Sequence, residues 1–293
     1  MERPQLTSLL SNAVLDRLER RRIGARSHQT NRGRGEHLSG KGGTSTEFCD
    51  YRDYTPGDDT RFVDWNIFAR LNRPYLKQFH REEERHVVLL VDASASMRFA
   101  NKLTLARQLA AAFGVLGLRN IERVSVYTTD PARFLPPCRG RLNLRRLFAF
   151  LEQIESGGET TFDTAIGSLL RQHRGRGVCV VLSDFLTFGD MKRAFNSLYA
   201  TGLEPLGIQI LAPQEIEPEV AGDIRLQDAE TQEGLDVSAA ADLLALYQEY
   251  RTAYSRELLR ACQRRAGRFV SISSAMPVES VLFDRLARQG WIE

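Results

Sequence analysis

The chain has 293 residues, of which 42% are hydrophobic and 26% charged, with a formal net charge of +3. This is the composition of an ordinary globular protein, and so small a net charge says little about partners. No apolar run approaches the roughly 20 residues of a membrane span, and the amino terminus lacks the apolar segment of a signal peptide, so we expect a cytoplasmic protein. Four cysteines without a Cys-x-x-Cys pair argue against a zinc site and a disulfide framework: Cys49, Cys138, Cys179 and Cys262.

The amino-terminal part, residues 1–84, is predicted to be an extension of a larger domain formed by residues 85–293. Apolar residues at helical spacing over residues 6–23 predict an amphipathic helix that docks on the larger domain. Residues 24–43 are rich in Gly, Arg, Ser and His, which predicts a loop. Arg26, Arg32 and Arg34 in this loop could meet phosphate, but no aromatics are interleaved with them, so nucleic acid is not an expected partner.

The same loop contains a near match to a Walker A phosphate-binding loop in residues 35–42. Gly42 stands where the Ser or Thr that holds magnesium is required, and no apolar strand leads into the segment. We therefore do not expect the chain to hydrolyse nucleotides.

Residues 47–70 combine charged and aromatic side chains around a Pro56-Gly57 turn. Arginines alternate with aspartates along this stretch, beside Phe, Tyr and Trp residues. We expect a small sheet-like flap that is held by arginine–carboxylate pairs and half buried through its aromatics against the larger domain. A binding surface formed by the arginines is the alternative.

An apolar run over residues 87–91 predicts a strand buried on both faces, as in a parallel sheet. It is followed by Asp92, Ser94 and Ser96, at the carboxyl end of the strand, where open α/β sheets place their ligand sites. Carboxylate and hydroxyl oxygens suit Mg²⁺, Mn²⁺ or Ca²⁺ rather than zinc. One alternative is that the serines only cap the next helix. Another is a phosphohydrolase with Asp92 as nucleophile, although Ser94 stands where haloacid dehalogenases carry a second acid.

Two later loops offer further oxygen ligands. Thr160 lies in a Gly-Gly-Glu-Thr-Thr segment, with Thr161 as a possible replacement, and Asp184 follows the apolar run 178–182. The order and spacing of these segments resemble the metal-ion-dependent adhesion site of von Willebrand factor A domains. Asp163, close to Thr160, has no counterpart in that site, and we interpret it as a helix cap.

This resemblance implies specific roles. The two serines would bind the metal directly, Thr160 directly or through water, and the two aspartates mainly through water. Neutral hydroxyl ligands would leave the cation able to accept a carboxylate from a partner protein, so we expect a reader of acidic side chains and not an enzyme. No pair of nucleophile and base stands out in the sequence.

The remaining pattern alternates strands and helices, which predicts a doubly wound, mostly parallel α/β sheet of the von Willebrand factor A type. Further strands are predicted over residues 124–128, 178–182, 205–211 and 269–272, and a hairpin insertion over residues 222–238. Helices are predicted over residues 102–118, 142–154, 164–173, 190–200, 239–265 and 278–289. The carboxyl ends of parallel strands share one edge of a sheet, so Asp92, Thr160 and Asp184 are expected to converge.

A long signature begins at Arg52 and reads Arg-x-Tyr-x-Pro-Gly-Asp-Asp-x-Arg-x-x-Asp-Trp-x-x-x-Ala-Arg. Followed by an acidic run and Asp-Ala-Ser-Ala-Ser-Met, it resembles the domain of unknown function family fifty-eight over nearly the whole chain. That resemblance implies a partner: such proteins are commonly encoded beside MoxR-type AAA ATPases and are thought to act with them in chaperone-like assembly or maturation.

Overall fold

A computed structural model describes residues 5–24, 48–79, 85–120, 122–130, 132–157, 162–186, 189–218, 224–227, 234–237 and 240–293. The chain forms two compact units, one of residues 29–83 and the other of residues 1–28 together with residues 84–293. In the described ranges, no helix is both long and apolar enough to cross a membrane. The predicted loop 24–43, with its arginines and its near Walker A segment, lies outside the described residues except for Gly24.

The strands are β1 Phe48–Asp53, β2 Tyr75–Phe79, β3 His86–Val91, β4 Arg123–Thr128, β5 Phe134–Cys138, β6 Gly177–Ser183, β7 Leu203–Leu211, β8 Ile224–Gln227, β9 Gly234–Val237 and β10 Arg268–Ser273. The helices are α1 Asn12–Leu18, α2 Trp65–Leu71, α3 Lys102–Arg119, α4 Leu144–Glu152, α5 Phe162–Gln172, α6 Met191–Ala200, α7 Pro213–Ile216, α8 Ala240–Gln263 and α9 Val278–Ser280. A π-helical segment, Val281–Leu286, continues α9.

The larger unit is built on a six-stranded sheet with the order β10-β7-β6-β3-β4-β5. The first five strands in that order are parallel to their neighbours, and β5 pairs antiparallel to β4 at the edge. Pro136 and Pro137 fit this edge strand, because a proline cannot donate a ladder hydrogen bond. The predicted mostly parallel α/β sheet is therefore confirmed.

Successive side chains of β3 point to opposite sides of the sheet, and all of them are buried, so the strand is covered on both faces. Val87, Leu89 and Val91 enter one hydrophobic core, together with residues of α1, α3, α4 and the carboxyl-terminal helix. Val88 and Leu90 enter a second core, formed with α5, α6 and α8. Helices thus cover both faces, as a doubly wound sheet requires.

The first helix is shorter than predicted. It begins after Ser11, whose hydroxyl accepts a hydrogen bond from the Val14 N–H, and only Asn12–Leu18 is helical. Leu9, Leu10, Val14 and Leu18 are buried in the core of the larger unit, so the apolar spacing that suggested a longer helix partly serves a non-helical segment. Beyond the helix, Ile23 pairs with Ile292, which fastens this segment to the carboxyl terminus.

The smaller unit contains the antiparallel pair β1–β2 and helix α2. Ion pairs join Arg52 to Asp58 and Arg61 to Asp59, as predicted, and a further pair joins Lys77 to Asp64. Among the aromatic residues of this unit, Trp65 is 61% exposed. Trp65 lies in the first turn of α2, a helix with no buried residue.

Candidate functional site

The first candidate loop begins where β3 ends. Strand β3 lies between β4 and β6 in register, with Val91 opposite Thr128 on one side and Leu182 on the other. The Asp92 N–H donates to the Leu182 carbonyl (2.9 Å), and the Ala93 N–H donates to Thr129 Oγ1 (2.9 Å). Asp92 is therefore fixed at the carboxyl edge of the sheet, at the level of Ser183.

Both carboxylate oxygens of Asp92 accept hydrogen bonds from the protein. The Ser94 N–H donates to Oδ1 (2.9 Å), and the Ser183 hydroxyl donates to Oδ2 (2.5 Å). The Asp92 side chain is almost fully buried. Burial, together with the negative charge of Asp184, raises the pKa of Asp92 to about 6, and the hydrogen bonds only partly oppose this shift.

Ser94 and Ser96 lie at the rim of this loop, half buried, with their hydroxyl oxygens 3.1 Å apart. Ser94 precedes a 3₁₀-helical turn that begins at Ala95, but its side chain makes no capping hydrogen bond. The alternative in which Ser94 only caps the following helix is therefore not what the loop shows. Instead, its hydroxyl forms hydrogen bonds with the Ser96 hydroxyl and with the Asp92 carboxylate.

Asp184 follows β6, the strand beside β3, and is 2% exposed. Its Oδ1 accepts a hydrogen bond from the Leu186 N–H (3.0 Å), and its backbone carbonyl accepts one from Gln209 Nε2 (3.1 Å). Its Oδ2 forms an ion pair with Lys102 Nζ (2.7 Å). The two aspartates of the sequence prediction thus lie on adjacent strands, close enough for the charge of one to affect the pKa of the other.

Lys102 is the main residue that sequence reasoning missed. It begins α3, is fully buried, and its Nζ contacts both Asp184 Oδ2 and Glu215 Oε1 at 2.7 Å. Burial by itself lowers the pKa of Lys102, but the charges and hydrogen bonds of the two carboxylates outweigh it and raise the pKa. One signal was available: a lysine in the first turn of a helix opposes the helix dipole, so it needs another reason to be there.

Two further residues were not assigned roles from the sequence. Ser183 orients Asp92, and its Oγ also accepts a hydrogen bond from the Phe185 N–H (2.8 Å). Glu215, in α7, holds Lys102 with one oxygen and accepts the Ala212 N–H with the other (2.6 Å). Ser183 could have been found because it directly precedes Asp184 at a strand end. Nothing in the local sequence around Glu215 points to Lys102.

The loop that carries Asp184 is held in a strained conformation. Phe185 has φ = +58°, in the left-handed region that non-glycine residues seldom adopt. Its ring packs among Phe162, Phe195 and Phe269, at centroid distances of 6.1, 6.1 and 5.6 Å. The Tyr254 hydroxyl, on α8, donates to its carbonyl (2.9 Å). Backbone strain that the surroundings enforce in this way is common at functional sites.

Thr160 and its neighbour Thr161 lie outside the described residues, and of Asp163 only the backbone, within α5, is described. The described residues on either side contact the other two loops. The Gly157 N–H donates to the Ala93 carbonyl (2.9 Å), beside Asp92, and the Phe162 ring packs against Phe185, beside Asp184. The described residues Gly157 and Phe162, on either side of Thr160 in the sequence, therefore lie next to the site.

The chemistry of these side chains favours a hard cation over a transition metal. Among the described residues, no three His, Cys, Asp or Glu side chains form a group that could hold a metal. A cation here would need hydroxyl ligands in addition to the two aspartates, and the hydroxyls of Ser94 and Ser96 could supply two. Oxygen-only ligands suit Mg²⁺, Mn²⁺ or Ca²⁺.

The fold and this edge define an α/β protein whose mostly parallel sheet carries a buried polar site at the carboxyl ends of its central strands. A family profile described as "Protein of unknown function DUF58" matches residues 50–273. The chain belongs to this family.

Curated relatives come from mycobacteria. Uncharacterized protein Rv1480 of Mycobacterium tuberculosis and uncharacterized protein Mb1516 of Mycobacterium bovis are each 34% identical over 206 residues, covering 67% of this chain and 65% of the relative. The match thus spans slightly less than two thirds of the relatives' length. Uncharacterized protein MAV169 of Mycobacterium avium is 38% identical over 88 residues, covering 30% of this chain and 52% of that protein.

Two solved structures show a weaker likeness. BatB from Bacteroides thetaiotaomicron is 14% identical, with a TM-score of 0.41, over 70% of this chain and 98% of that one. An aerotolerance-related membrane protein from Bacteroides fragilis is 14% identical, with a TM-score of 0.42, over 68% and 96%. Likenesses at this level define neither the fold nor the function of the chain.

Proposed function

We propose that the chain is a protein-binding module of the von Willebrand factor A type that depends on a divalent cation. Ser94, Ser96 and Thr160 would hold the cation, with Asp92 and Asp184 behind them, mainly through water. The cation would then accept a carboxylate from a partner protein. In this role the chain is an adaptor and not an enzyme.

The observation that carries the proposal is the pair of serine hydroxyls. Adjacent ligands of an octahedral magnesium ion, at about 2.1 Å from the metal, are about 3.0 Å apart. The Ser94 and Ser96 oxygens are 3.1 Å apart at the rim of the site. The two hydroxyls are within hydrogen-bond distance of each other, and their separation also fits two neighbouring positions of a magnesium sphere.

The aspartates support the same proposal through their charge. Each already receives directed contacts from the protein, from Ser94 and Ser183 for Asp92 and from Leu186 and Lys102 for Asp184. These contacts fix the carboxylates and leave other lone pairs for ordered water. The pKa of Asp92 is raised first by its burial and then by the negative charge of Asp184, so the ionised carboxylate of Asp92 is held at a free-energy cost. A bound cation would offset that cost.

The proposed partner class is the one that the resemblance to the DUF58 family implies. We propose a MoxR-type AAA ATPase, or a protein on which it acts, as the partner that supplies the carboxylate. The complex would serve chaperone-like assembly or maturation of other proteins. Membership of the DUF58 family is compatible with this role.

The test is cation-dependent binding between two purified proteins, this chain and a MoxR-type ATPase from the same genome. Binding should be measured by surface plasmon resonance in Mg²⁺ and in a chelator. Asp92→Ala should abolish Mg²⁺ uptake and partner binding while the circular dichroism spectrum stays unchanged. Asp130→Ala is the matched control, because Asp130 follows the neighbouring strand β4 and its carboxylate contacts the Ala132 N–H.

Binding that is equally strong in chelator would contradict the proposal, as would the same loss in both variants. A panel of phosphate esters should be included. Turnover that requires Mg²⁺ and disappears in Asp92→Ala would replace the adaptor with a phosphohydrolase.

A further inference from the structure

The ammonium group of Lys102 is a positive charge, belonging to the protein itself, that lies beside the proposed metal site. Its side chain is 0% exposed and its Nζ forms ion pairs of 2.7 Å with both Asp184 and Glu215. A buried ammonium group is tolerated only when partners compensate its charge. The two carboxylates provide that compensation, and one of them belongs to the proposed metal site.

The backbone before Lys102 is unusual as well. Ala100 and Asn101 have φ values of +47° and +60°, so two successive non-glycine residues adopt the left-handed conformation. This conformation costs free energy for residues other than glycine. Lys102 itself begins α3, where a positive charge meets the positive end of the helix dipole. The left-handed conformations of Ala100 and Asn101 and the position of Lys102 at the positive end of the helix dipole are thus three unfavourable features. They accompany the placement of one ammonium group next to Asp184.

We propose that Lys102 is a built-in counter-cation that sets the divalent-ion affinity of the site. Its role presupposes the cation site of the proposed function. The ammonium satisfies Asp184 when no metal is bound, and its charge opposes any divalent ion that approaches the same carboxylate. The site is thereby kept weak for the metal alone. Glu215 acts through Lys102 as a positioning residue, because it holds the ammonium from the opposite side.

The effect of each side chain can be ordered by charge. With all groups ionised, the carboxylates of Asp92, Asp184 and Glu215 and the ammonium of Lys102 give this cluster a charge of −2. Lys102→Met changes it to −3 and Glu215→Gln to −1, while the double variant returns to −2. Each unit of charge inside the site should change divalent affinity by roughly tenfold or more.

The experiment measures Mn²⁺ binding by electron paramagnetic resonance and Mg²⁺ binding by calorimetry, for the metal alone, with folding checked by circular dichroism. Lys102→Met should bind at least about tenfold more tightly than the unchanged chain, and Glu215→Gln should bind more weakly. Lys192→Met is the matched control, because Lys192 pairs with Glu257 at the surface. Its affinity should not change.

Opposite signs for the two single variants distinguish a counter-cation from a purely structural residue, since structural damage would weaken binding in both. If Lys102→Met does not fold, the double variant and Glu215→Gln differ only in the ammonium, and the double variant must bind more tightly. Equal or weaker binding on loss of the lysine overturns the inference, while Mg²⁺ uptake by the unchanged chain keeps the proposed function. Uptake only in variants without Lys102 supports the inference and overturns the proposed function. No uptake in any variant overturns both.

Discussion

Replacement of Asp92 by asparagine tests whether the buried negative charge of Asp92 lowers the free energy of unfolding. The pKa of Asp92 lies at about 6 in the folded chain, against 3.8 for an ordinary aspartate. The folded state therefore holds this proton more tightly than the unfolded chain does. The contribution of Asp92 to stability is most favourable below about pH 4 and falls as the pH rises to about 6. Above that pH, the ionised carboxylate costs about 3 kcal/mol.

Asparagine removes the charge but not the shape. Its amide oxygen can still accept the Ser94 N–H, and its amide nitrogen can donate to Ser183 Oγ, which reverses one bond. We estimate that this reversal costs about 1 kcal/mol. Asp92→Asn should therefore raise the free energy of unfolding by about 2 kcal/mol at about pH 7.5 in chelator, and it should remove the Asp92 contribution to the pH slope.

The assay is urea unfolding between about pH 5 and 8 in chelator, repeated with Mg²⁺. Asp130→Asn is the control, since this residue follows the adjacent strand β4 and should leave stability unchanged. Added Mg²⁺ should stabilise the unchanged chain in proportion to the logarithm of its concentration and the Asp92→Asn variant much less. A variant that is less stable than the unchanged chain in chelator, or that keeps the same pH slope, would refute the reasoning.

Three further outcomes are expected. Ser94→Ala and Ser96→Ala should each weaken Mg²⁺ binding by about tenfold, with little change in the urea midpoint. An Mg²⁺ affinity that calorimetry finds unchanged would contradict the proposed role of these hydroxyls as metal ligands. Tyr254→Phe should lower the free energy of unfolding by about 1 kcal/mol, because the hydroxyl donates to the Phe185 carbonyl, and no loss would show that this bond contributes nothing. Gly177→Ala should severely lower the free energy of unfolding, because the added Cβ would lie 1.9 Å from the His86 carbonyl oxygen. Gly167→Ala in α5 is the control and should be tolerated, because its Cβ would meet its nearest neighbour at 3.4 Å. Equal urea midpoints for the two variants would contradict the β3–β6 register.

The elements of the larger unit were largely predictable from the sequence. Strand β3 was predicted because an unbroken apolar run cannot face water on either side, and α3 because of its Ala-rich face. The first helix was predicted too long because Leu9 and Leu10 are buried without being helical. The spacing of apolar residues indicates which side chains face a core, but it does not determine whether the backbone that carries them is helical.

The candidate site divides in the same way. Asp92 and Asp184 could be assigned to one edge from sequence, because each directly follows a buried strand and parallel strands end on the same side of the sheet. The ion pairs of Lys102 with Asp184 and Glu215 could not be predicted from the sequence, since these partners are 82 and 113 residues away along the chain. Such a contact depends on the order of β7, β6 and β3 in the sheet and on the packing of α3 and α7 at its edge. The sequence alone determined which segments are buried and where strands end, because these depend on local patterns of apolar and polar residues. Only the tertiary structure decided which charges meet, because the energy of a buried ion pair depends on distance in space and not along the chain.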